Sequence, residues 1–311
     1  MAIRLHGELR MRDTAPRVML LALLLAGASG AQEADSEAVF KSDARLVELH
    51  ATVTDLQGHL LTDLHQNDFK VFENGVSQRI KVFRMEDAPV SLGLIVDNSA
   101  SMRGKRAKVA AALLTLVRAS NPGDEEFVLN FSERPAMAQD FTQDIQKLES
   151  TLAKIDSNGP TAMRDALSMG LEHLKRLAKN DKKVLLVVTD GEDNSSVETL
   201  TRLSREAQQS GVLIYAIGLL NDDDARETAR AKRDLDMLAH GTGGEVFYPK
   251  ELSEVDGIAR QVAHDLRNQY TIAYSPSDPK QDGTFRTIGV TVATPAEAVV
   301  RTRTGYYAPE K

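Results

Sequence analysis

The chain contains no cysteine, so disulfide bonds cannot stabilise its fold, and thiolate sites for zinc or iron–sulfur clusters are excluded. A lipid-modified amino-terminal cysteine is excluded for the same reason. An excess of positive charge is also missing, since 45 acidic residues face 38 basic ones and the formal net charge is −7. Nucleic-acid backbones and anionic membranes attract positive surfaces. Neither is therefore expected as the main partner, whereas an acidic chain is compatible with cation binding.

Long apolar runs are scarce as well, and the one that stands out lies near the amino terminus. Arg17 precedes an apolar run over residues 18–28, and the small residues 29–31 lead into the polar Gln32. This order is typical of a secretory signal peptide, and the run is shorter than the ~20 residues of a transmembrane helix. Residues 1–31 are therefore predicted to be a cleaved signal peptide, and the protein to be exported to the periplasm or the cell exterior. An uncleaved anchor and a buried amino-terminal helix are the alternatives.

Residues 39–90 show the period-two alternation of half-buried strands. The alternation is clear over residues 45–53 and returns over residues 69–72 and 76–83. Asn-Gly at positions 74 and 75 is a strong hairpin signal, because both residue types tolerate positive φ. This segment is predicted to be the first part of a β module.

From residue 91 to residue 266, short apolar runs alternate with stretches of helical period. The candidate strands cover residues 92–96, 126–131, 184–189, 212–217 and 245–248. The candidate helices cover residues 103–119, 143–156, 161–178, 197–210, 225–240 and 251–266. Such alternation favours a mostly parallel sheet covered by helices on both faces. The prediction is a doubly wound α/β domain over residues 91–266, with residues 136–141 as an antiparallel edge strand.

Residues 268–308 return to the β pattern and form the second part of the predicted β module. Strands are expected at residues 269–274, 287–292 and 298–302. A small isolated sheet has little to bury, so neither terminal segment is expected to form a core alone. We therefore predict that both segments pair into one β-sandwich-like module, with the α/β domain inserted between its strands.

Oxygen-bearing side chains follow or precede three elements of the α/β region. Asp97, Ser99 and Ser101 come after the first strand, Thr161 comes before a helix, and Asp190 comes after the strand at 184–189. The carboxyl ends of parallel strands open on one crevice, so these side chains should converge there. Two carboxylates and three hydroxyls are hard donors that suit Mg²⁺, Mn²⁺ or Ca²⁺ better than zinc or copper.

The spacing Asp97-x-Ser99-x-Ser101, followed by Thr161 and by Asp190 in a Thr-Asp-Gly setting, resembles the von Willebrand factor type A domain with a metal-ion-dependent adhesion site. The resemblance covers residues 91–266, and the flanking segments resemble those of exported bacterial proteins of this class. It implies that the five residues hold a divalent cation, with Mg²⁺ preferred. It also implies a protein-binding module whose cation captures an Asp or Glu carboxylate of a partner.

Structural roles that involve no metal ion could also explain several acidic and hydroxyl residues of this region. Ser101 and Thr161 both stand where a helix N-cap could lie, because hydroxyl side chains are common there. Asp165 and Asp193 could support the cation ligands or could cap backbone amides. The run at 222–224 lacks the spaced ligands of a calcium loop and is better explained as a solvated turn at a helix start.

Two other functions compete with the binding module. One is a metal-assisted phosphohydrolase with Asp97 as its nucleophile. That chemistry is expected to have a second aspartate two residues on, where this chain has Ser99, and no lysine lies in an obvious phosphate-binding loop. The other is a metal-free structural scaffold. Neither His-Glu-x-x-His nor Gly-x-Ser-x-Gly occurs, so no catalytic residue is expected and the protein is predicted not to be an enzyme.

Overall fold

The computed structural model describes residues 46–85, 87–154, 158–191, 193–220, 224–293 and 297–310. The predicted signal peptide and residues 222–223 lie outside these ranges. The strands, in chain order, are β1 (Val47–Thr54), β2 (Phe69–Glu73), β3 (Val76–Gln78), β4 (Ile80–Met85), β5 (Val90–Asp97), β6 (Glu125–Phe131), β7 (Pro135–Thr142), β8 (Lys182–Thr189), β9 (Leu213–Gly218), β10 (Val246–Phe247), β11 (Tyr270–Tyr274), β12 (Phe285–Val292), β13 (Val299–Arg301) and β14 (Gly305–Tyr307). The helices are α1 (Arg106–Arg118), α2 (Ile145–Ala153), α3 (Met163–Leu177), α4 (Leu200–Ser210), α5 (Ala225–Thr242) and α6 (Val255–Arg267).

A six-stranded sheet with the order β10-β9-β8-β5-β6-β7 forms the centre of the α/β region. Its neighbouring strands pair in parallel, except that β7 is an antiparallel edge strand. One apolar cluster packs α1, α2 and α6 against one face, and a second packs α3, α4 and α5 against the other. The predicted α/β class with a doubly wound, mostly parallel sheet is confirmed, and the predicted edge strand at 136–141 lies within β7.

Two glycines allow close packing around β5, the strand that ends at Asp97. A Cβ atom at Gly93 would lie 2.3 Å from Cζ of Phe127 on the adjacent strand. On α3, a Cβ atom at Gly170 would lie 3.1 Å from Cδ1 of Ile95. The absence of a side chain at Gly93 leaves room for the Phe127 ring, and its absence at Gly170 lets α3 lie directly on β5. The close approach of α3 fixes the loop before it beside the carboxyl end of that strand.

The β module consists of two four-stranded sheets with the orders β13-β1-β11-β4 and β14-β12-β2-β3. In each sheet a strand from before the α/β region pairs antiparallel with one from after it, β1 with β11 and β2 with β12. Side chains of both sheets share one apolar cluster, in which the rings of Phe69 and Tyr270 have their centroids 4.9 Å apart. The buried Glu73 accepts hydrogen bonds from the hydroxyls of Tyr274 (2.7 Å) and Tyr306 (3.0 Å). Apolar contacts and buried hydrogen bonds thus join strands from the two ends of the chain.

The hairpin predicted at Asn74-Gly75 is confirmed, because both residues have positive φ and β2 pairs with β3. The run at 76–83, however, does not stay in one strand. It breaks at Arg79, so that β3 remains in the sheet of β2 while β4 pairs with β11 in the other sheet. Both halves alternate in the same way, so periodicity alone could not show the change of sheet. The sequence also missed β14, which has only three residues.

Replacing Gly93 with alanine is expected to lower the free energy of unfolding by about 1–3 kcal/mol, because the new methyl group would force the buried Phe127 ring to move. The matched control is Gly257→Ala, on an exposed face of α6 where a Cβ atom meets nothing within 4 Å. That change should stabilise by about 0.5–1 kcal/mol, since alanine favours the helix. Urea unfolding of both variants checks this. Equal effects at the two sites would contradict the close packing at β5.

Candidate metal centre

The ends of β5 and β8 bring two aspartates to one edge of the central sheet. Asp97 is the last residue of β5, and Asp190 directly follows β8. The two strands are parallel neighbours, with Val96 paired to Val188. Both aspartates are buried: the residue Asp97 is completely inaccessible, and the residue Asp190 is 6% exposed. Two carboxylates therefore lie close together where water can contribute little to their solvation.

Ser99 and Ser101 connect the two aspartates through the Ser99 backbone amide and the two serine hydroxyls. The backbone amide of Ser99 donates to Oδ1 of Asp97 at 2.7 Å. The two serine Oγ atoms are 3.0 Å apart, and the Ser101 hydroxyl donates to Oδ1 of Asp190 at 2.8 Å. Four of the five predicted ligand residues thus form one continuous hydrogen-bonded group.

Ser101 is not the helix N-cap that the sequence allowed. It lies inside a short 3-10 helix over Ala100–Gly104, and α1 begins only at Arg106. The tight turn points the Ser101 hydroxyl across to Asp190 instead of back to its own backbone amides. The N-cap explanation for Ser101 is therefore wrong.

Thr161 lies in the loop before α3, between the β5 and β8 loops. The amide of Ala100 donates to the carbonyl of Gly159 at 3.2 Å, which joins this loop to the β5 loop. On the other side, the Thr161 amide donates to Oδ1 of Asn194 at 3.0 Å. The N-cap position of α3 is held by Ala162, without a side-chain cap, so the N-cap explanation for Thr161 is wrong too. The loop contacts place the Thr161 backbone beside the serine loop, while the described hydrogen bonds do not join its hydroxyl to the other four residues.

The carboxylate of Asp97 is held on both oxygens. Oδ1 accepts from the Ser99 amide, and Oδ2 accepts from the hydroxyl of the fully buried Thr189 at 2.6 Å. Burial raises the pKa of Asp97 above its usual value, the nearby charge of Asp190 adds a small increase, and the hydrogen bonds from Thr189 and Ser99 oppose the rise. A positive charge nearby would favour the ionised form.

Such a charge is present in the side chain of Lys105, which the sequence analysis missed. Its ammonium Nζ lies 2.6 Å from Oδ2 of Asp190 and 3.3 Å from the carbonyl oxygen of Leu219. The only signal in the sequence was a lysine four residues after Ser101. Because lysines in that region usually point to solvent, the spacing alone could not assign it to the site.

Asp193 and Asp165 bind backbone amides rather than facing the group of four. Asp193 accepts from the amide of Arg164 and from the hydroxyl of Ser196, both at 2.6 Å. Asp165 accepts from the amides of Val197 and Glu198. These carboxylates tie the loop after β8 to the start of α3. Within the described ranges, no cluster of three or more His, Asp or Glu side chains is arranged to hold a metal ion.

The donor set fits a hard divalent cation. Two carboxylates roughly neutralise its charge, and hydroxyl oxygens are acceptable neutral ligands of Mg²⁺ and Ca²⁺. The ammonium of Lys105 stands in for a cation, because it already occupies a position against Asp190 that a positive ion would favour. The arrangement can therefore hold positive charge at the sheet edge.

Comparison with known proteins bears on the same region. A family model described as von Willebrand factor type A domain matches residues 92–261, more than half of the 311 residues. No curated protein sequence matches the chain significantly.

Several solved structures are similar to the chain. A structure of proximal thread matrix protein 1 from the mussel byssus, described as having a zinc-occupied MIDAS motif, is 18% identical, with 63% of this chain and 50% of that chain covered and a TM-score of 0.51. The von Willebrand domain of a type V pili tip protein from Porphyromonas gingivalis is 14% identical, with coverages of 58% and 97% and a TM-score of 0.47. A von Willebrand factor type A protein from Catenulispora acidiphila is 14% identical, with coverages of 88% and 76% and a TM-score of 0.49. The match spans about half the length of the mussel protein, with which the chain shares the fold.

Among the described residues, no helix is both long enough and apolar enough to cross a membrane.

Replacing Thr189 with valine removes the hydroxyl that donates to Asp97 and keeps the side-chain shape. The change is expected to lower the free energy of unfolding by about 1.5–3 kcal/mol, because a buried charged acceptor loses its partner. Thr291→Val, at an exposed position of β12, is the matched control and should change stability by less than about 0.5 kcal/mol. Denaturant unfolding in the presence of a chelator measures both. A loss at Thr189 no larger than at Thr291 would contradict the role of this hydrogen bond.

Proposed function

Because the chain belongs to the von Willebrand factor type A family, we propose that it is a metal-dependent protein-binding module that works outside the cytoplasm. The observation that carries the proposal is the hydrogen-bonded group of Asp97, Ser99, Ser101 and Asp190 at the carboxyl edge of the sheet. These residues, with Thr161 from the adjoining loop, would hold the cation. Other buried carboxylates also accept hydroxyl hydrogen bonds, as Glu73 does from Tyr274 and Tyr306, but this group lies at the carboxyl ends of two adjacent parallel strands.

Mg²⁺ is the proposed ion, with Mn²⁺ and Ca²⁺ as alternatives, because all the ligands are oxygen atoms. The mussel byssus protein carries zinc in its MIDAS motif, which supports a divalent cation in this fold and adds Zn²⁺ to the ions to be tested. When bound, the cation would supply a coordination position for an anionic oxygen from outside the chain. Two carboxylates would balance the formal charge of the ion, and the three hydroxyl ligands would add no further negative charge, so the ion would stay electrophilic enough to accept one more carboxylate oxygen.

The partner is therefore proposed to be a protein that presents an Asp or Glu side chain. The chain's own residues would fix the geometry of that contact. Ser99 and Ser101 are held by the short 3-10 helix, and the loop before α3 is fixed by its backbone hydrogen bonds. A site held in this way loses little conformational freedom when the partner binds, which favours affinity.

The site is proposed to be non-enzymatic. Residue 99 is a serine where the phosphohydrolase chemistry would have a second aspartate. This difference favours binding over phosphoryl transfer. The hydrogen bonds from the Ser99 amide and the Thr189 hydroxyl orient the Asp97 carboxylate and leave each oxygen a lone pair for a cation.

Export is proposed from residues 1–31 alone, whose basic, apolar and small-residue order is typical of a signal peptide. An acidic chain without cysteine is compatible with this location, since it needs no disulfide bonds there. The alternative of an uncleaved anchor would leave the binding module outside the cytoplasm and attached to the membrane.

Divalent cations are expected to raise the melting temperature of the purified protein relative to a chelated sample. An ion at 100 times its dissociation constant adds about 2.7 kcal/mol of stability by binding only the folded state. Mg²⁺, Mn²⁺, Ca²⁺ and Zn²⁺ are compared at equal concentration. Asp97→Asn should abolish the increase, whereas Asp63→Asn, the same change at an exposed carboxylate, should keep it.

A cation effect that persists in Asp97→Asn would show that the ion binds elsewhere and would contradict the proposed site. The carboxylate preference is examined by adding acetate to the same samples. A further rise in melting temperature is expected with cation present and not in chelator, and an equal rise in both would argue against carboxylate capture.

No metal-dependent hydrolysis of a generic phosphate ester is expected from the wild-type protein. The assay compares samples with Mg²⁺, with Mn²⁺ and with chelator. Turnover that requires the metal and disappears in Asp97→Asn would overturn the assignment as a binding protein and favour the phosphohydrolase.

A further inference from the structure

The ammonium group of Lys105 occupies the candidate metal centre as a monovalent cation would. Its Nζ atom contacts Oδ2 of Asp190 at 2.6 Å, and the side chain of Asp190 is completely buried whereas that of Lys105 is 23% exposed. The other carboxylate oxygen of Asp190 accepts from Ser101 at 2.8 Å. Both oxygens of Asp190 are therefore engaged by donors of this chain.

A divalent ion that bound Asp190 would meet this ammonium at short range. Two positive charges on opposite oxygens of one carboxylate repel each other strongly where water is largely excluded. The Lys105 side chain has a route away, because it is flexible and partly exposed and its second contact is a single carbonyl oxygen, that of Leu219. The aspartate has no such freedom, since it directly follows β8 in the centre of the sheet.

We propose that Lys105 is a built-in competitor for the divalent cation, neutralising Asp190 when the site is empty and weakening cation binding because it must first be displaced. The inference rests on the proposed function, because it concerns the affinity of the same site. Lys105 thus balances two properties. It stabilises the protein without the ion, and it sets the ion concentration at which the binding module becomes competent.

The size of the effect follows from the fraction of molecules whose site is free of the ammonium. When only a fraction of the protein is competent to bind, the apparent dissociation constant rises by the inverse of that fraction. An ammonium that occupies the site in about nine molecules of ten would weaken cation binding about tenfold. Removing the ammonium should lower the apparent dissociation constant of the cation by the same factor.

The test compares Lys105→Met with Lys108→Met in the full chain. Methionine keeps much of the apolar stem and removes the charge. Lys105 is the N-cap residue of α1, and Lys108 is an exposed lysine in the first turn of that helix. Free Mn²⁺ is measured by electron paramagnetic resonance during titration, which gives the dissociation constant directly. Lys105→Met is expected to bind Mn²⁺ about tenfold more tightly than wild type, and Lys108→Met to bind as wild type does.

Stability should change in the opposite direction when the ion is absent. In chelator, Lys105→Met is expected to melt below wild type, because removing one partner leaves a buried carboxylate without its counter-ion. At saturating Mn²⁺ this difference should disappear or reverse. A purely structural lysine would lower the melting temperature equally under both conditions, and that result would overturn the proposal.

Wild-type protein provides a second test that does not depend on the folding of a variant. Reductive methylation modifies free lysine amines, and mass spectrometry of the peptide containing Lys105 follows its rate. Labelling of Lys105 is expected to be slow in chelator and several-fold faster with Mn²⁺, while labelling of Lys108 stays constant. An unchanged or slower rate at Lys105 with Mn²⁺ would contradict displacement.

These outcomes separate the two proposals. If wild type binds Mn²⁺ and Lys105→Met binds it equally or more weakly, the competition is wrong and the proposed function stands. If neither protein binds Mn²⁺, both proposals fail. Binding by Lys105→Met alone would support the competition in its strongest form, with the ammonium excluding the ion from wild type.

Discussion

Two buried carboxylates at one sheet edge are the constraint on which the rest of the site depends. Asp97 is the last residue of β5, and Asp190 directly follows the adjacent parallel strand β8. The fold therefore brings their charges together and removes most of the water that would screen them. A buried charge needs hydrogen bonds and an opposite charge nearby. Thr189, the Ser99 amide and Ser101 supply the hydrogen bonds, and Lys105 supplies the charge. A divalent cation would satisfy the same requirement.

The architecture around this edge serves to hold its three loops in register. Close packing of α3 on β5, which Gly170 permits, sets the position of the loop that carries Thr161. Asp165 and Asp193 then tie the loop after β8 to the start of α3. The β module holds the two ends of the α/β region together, because its sheets combine strands from before and after that region. The chain thus enters the α/β region from this apolar cluster and returns to the same cluster when it leaves.

Much of this arrangement could be predicted from the sequence. Buried parallel strands such as β5 and β8 are continuous apolar runs, and the fold class and the order of the three loops followed from them. Short-range chemistry could be predicted too, as at Asn74-Gly75. Features that depend on contacts distant in the sequence could not. The strand break at Arg79 and the pairing of β14 with β12 are decided by which neighbours are present in space.

The candidate metal centre shows the same difference between features that follow from the local sequence and features that depend on contacts in space. Residue types and spacing predicted that Asp97, Ser99, Ser101 and Asp190 lie together, and the structure joins the four by hydrogen bonds. Their role as metal ligands stays a prediction. Lys105 escaped notice, since a lysine at the start of a helix is usually solvated and only the path of its side chain reveals the contact with Asp190. The N-cap explanations for Ser101 and Thr161 failed because the 3-10 helix and Ala162 occupy those positions instead.

Anomalous diffraction from crystals grown with Mn²⁺ tests the central claim most directly, because it locates the ion and the Lys105 side chain in one experiment. The account predicts an anomalous peak within coordination distance of the Ser99 and Ser101 hydroxyls and adjacent to Asp97 and Asp190. It also predicts that Nζ of Lys105 has moved out of hydrogen-bonding range of Asp190. No peak at this edge of the sheet, with the ammonium still on Asp190 at saturating Mn²⁺, would contradict it.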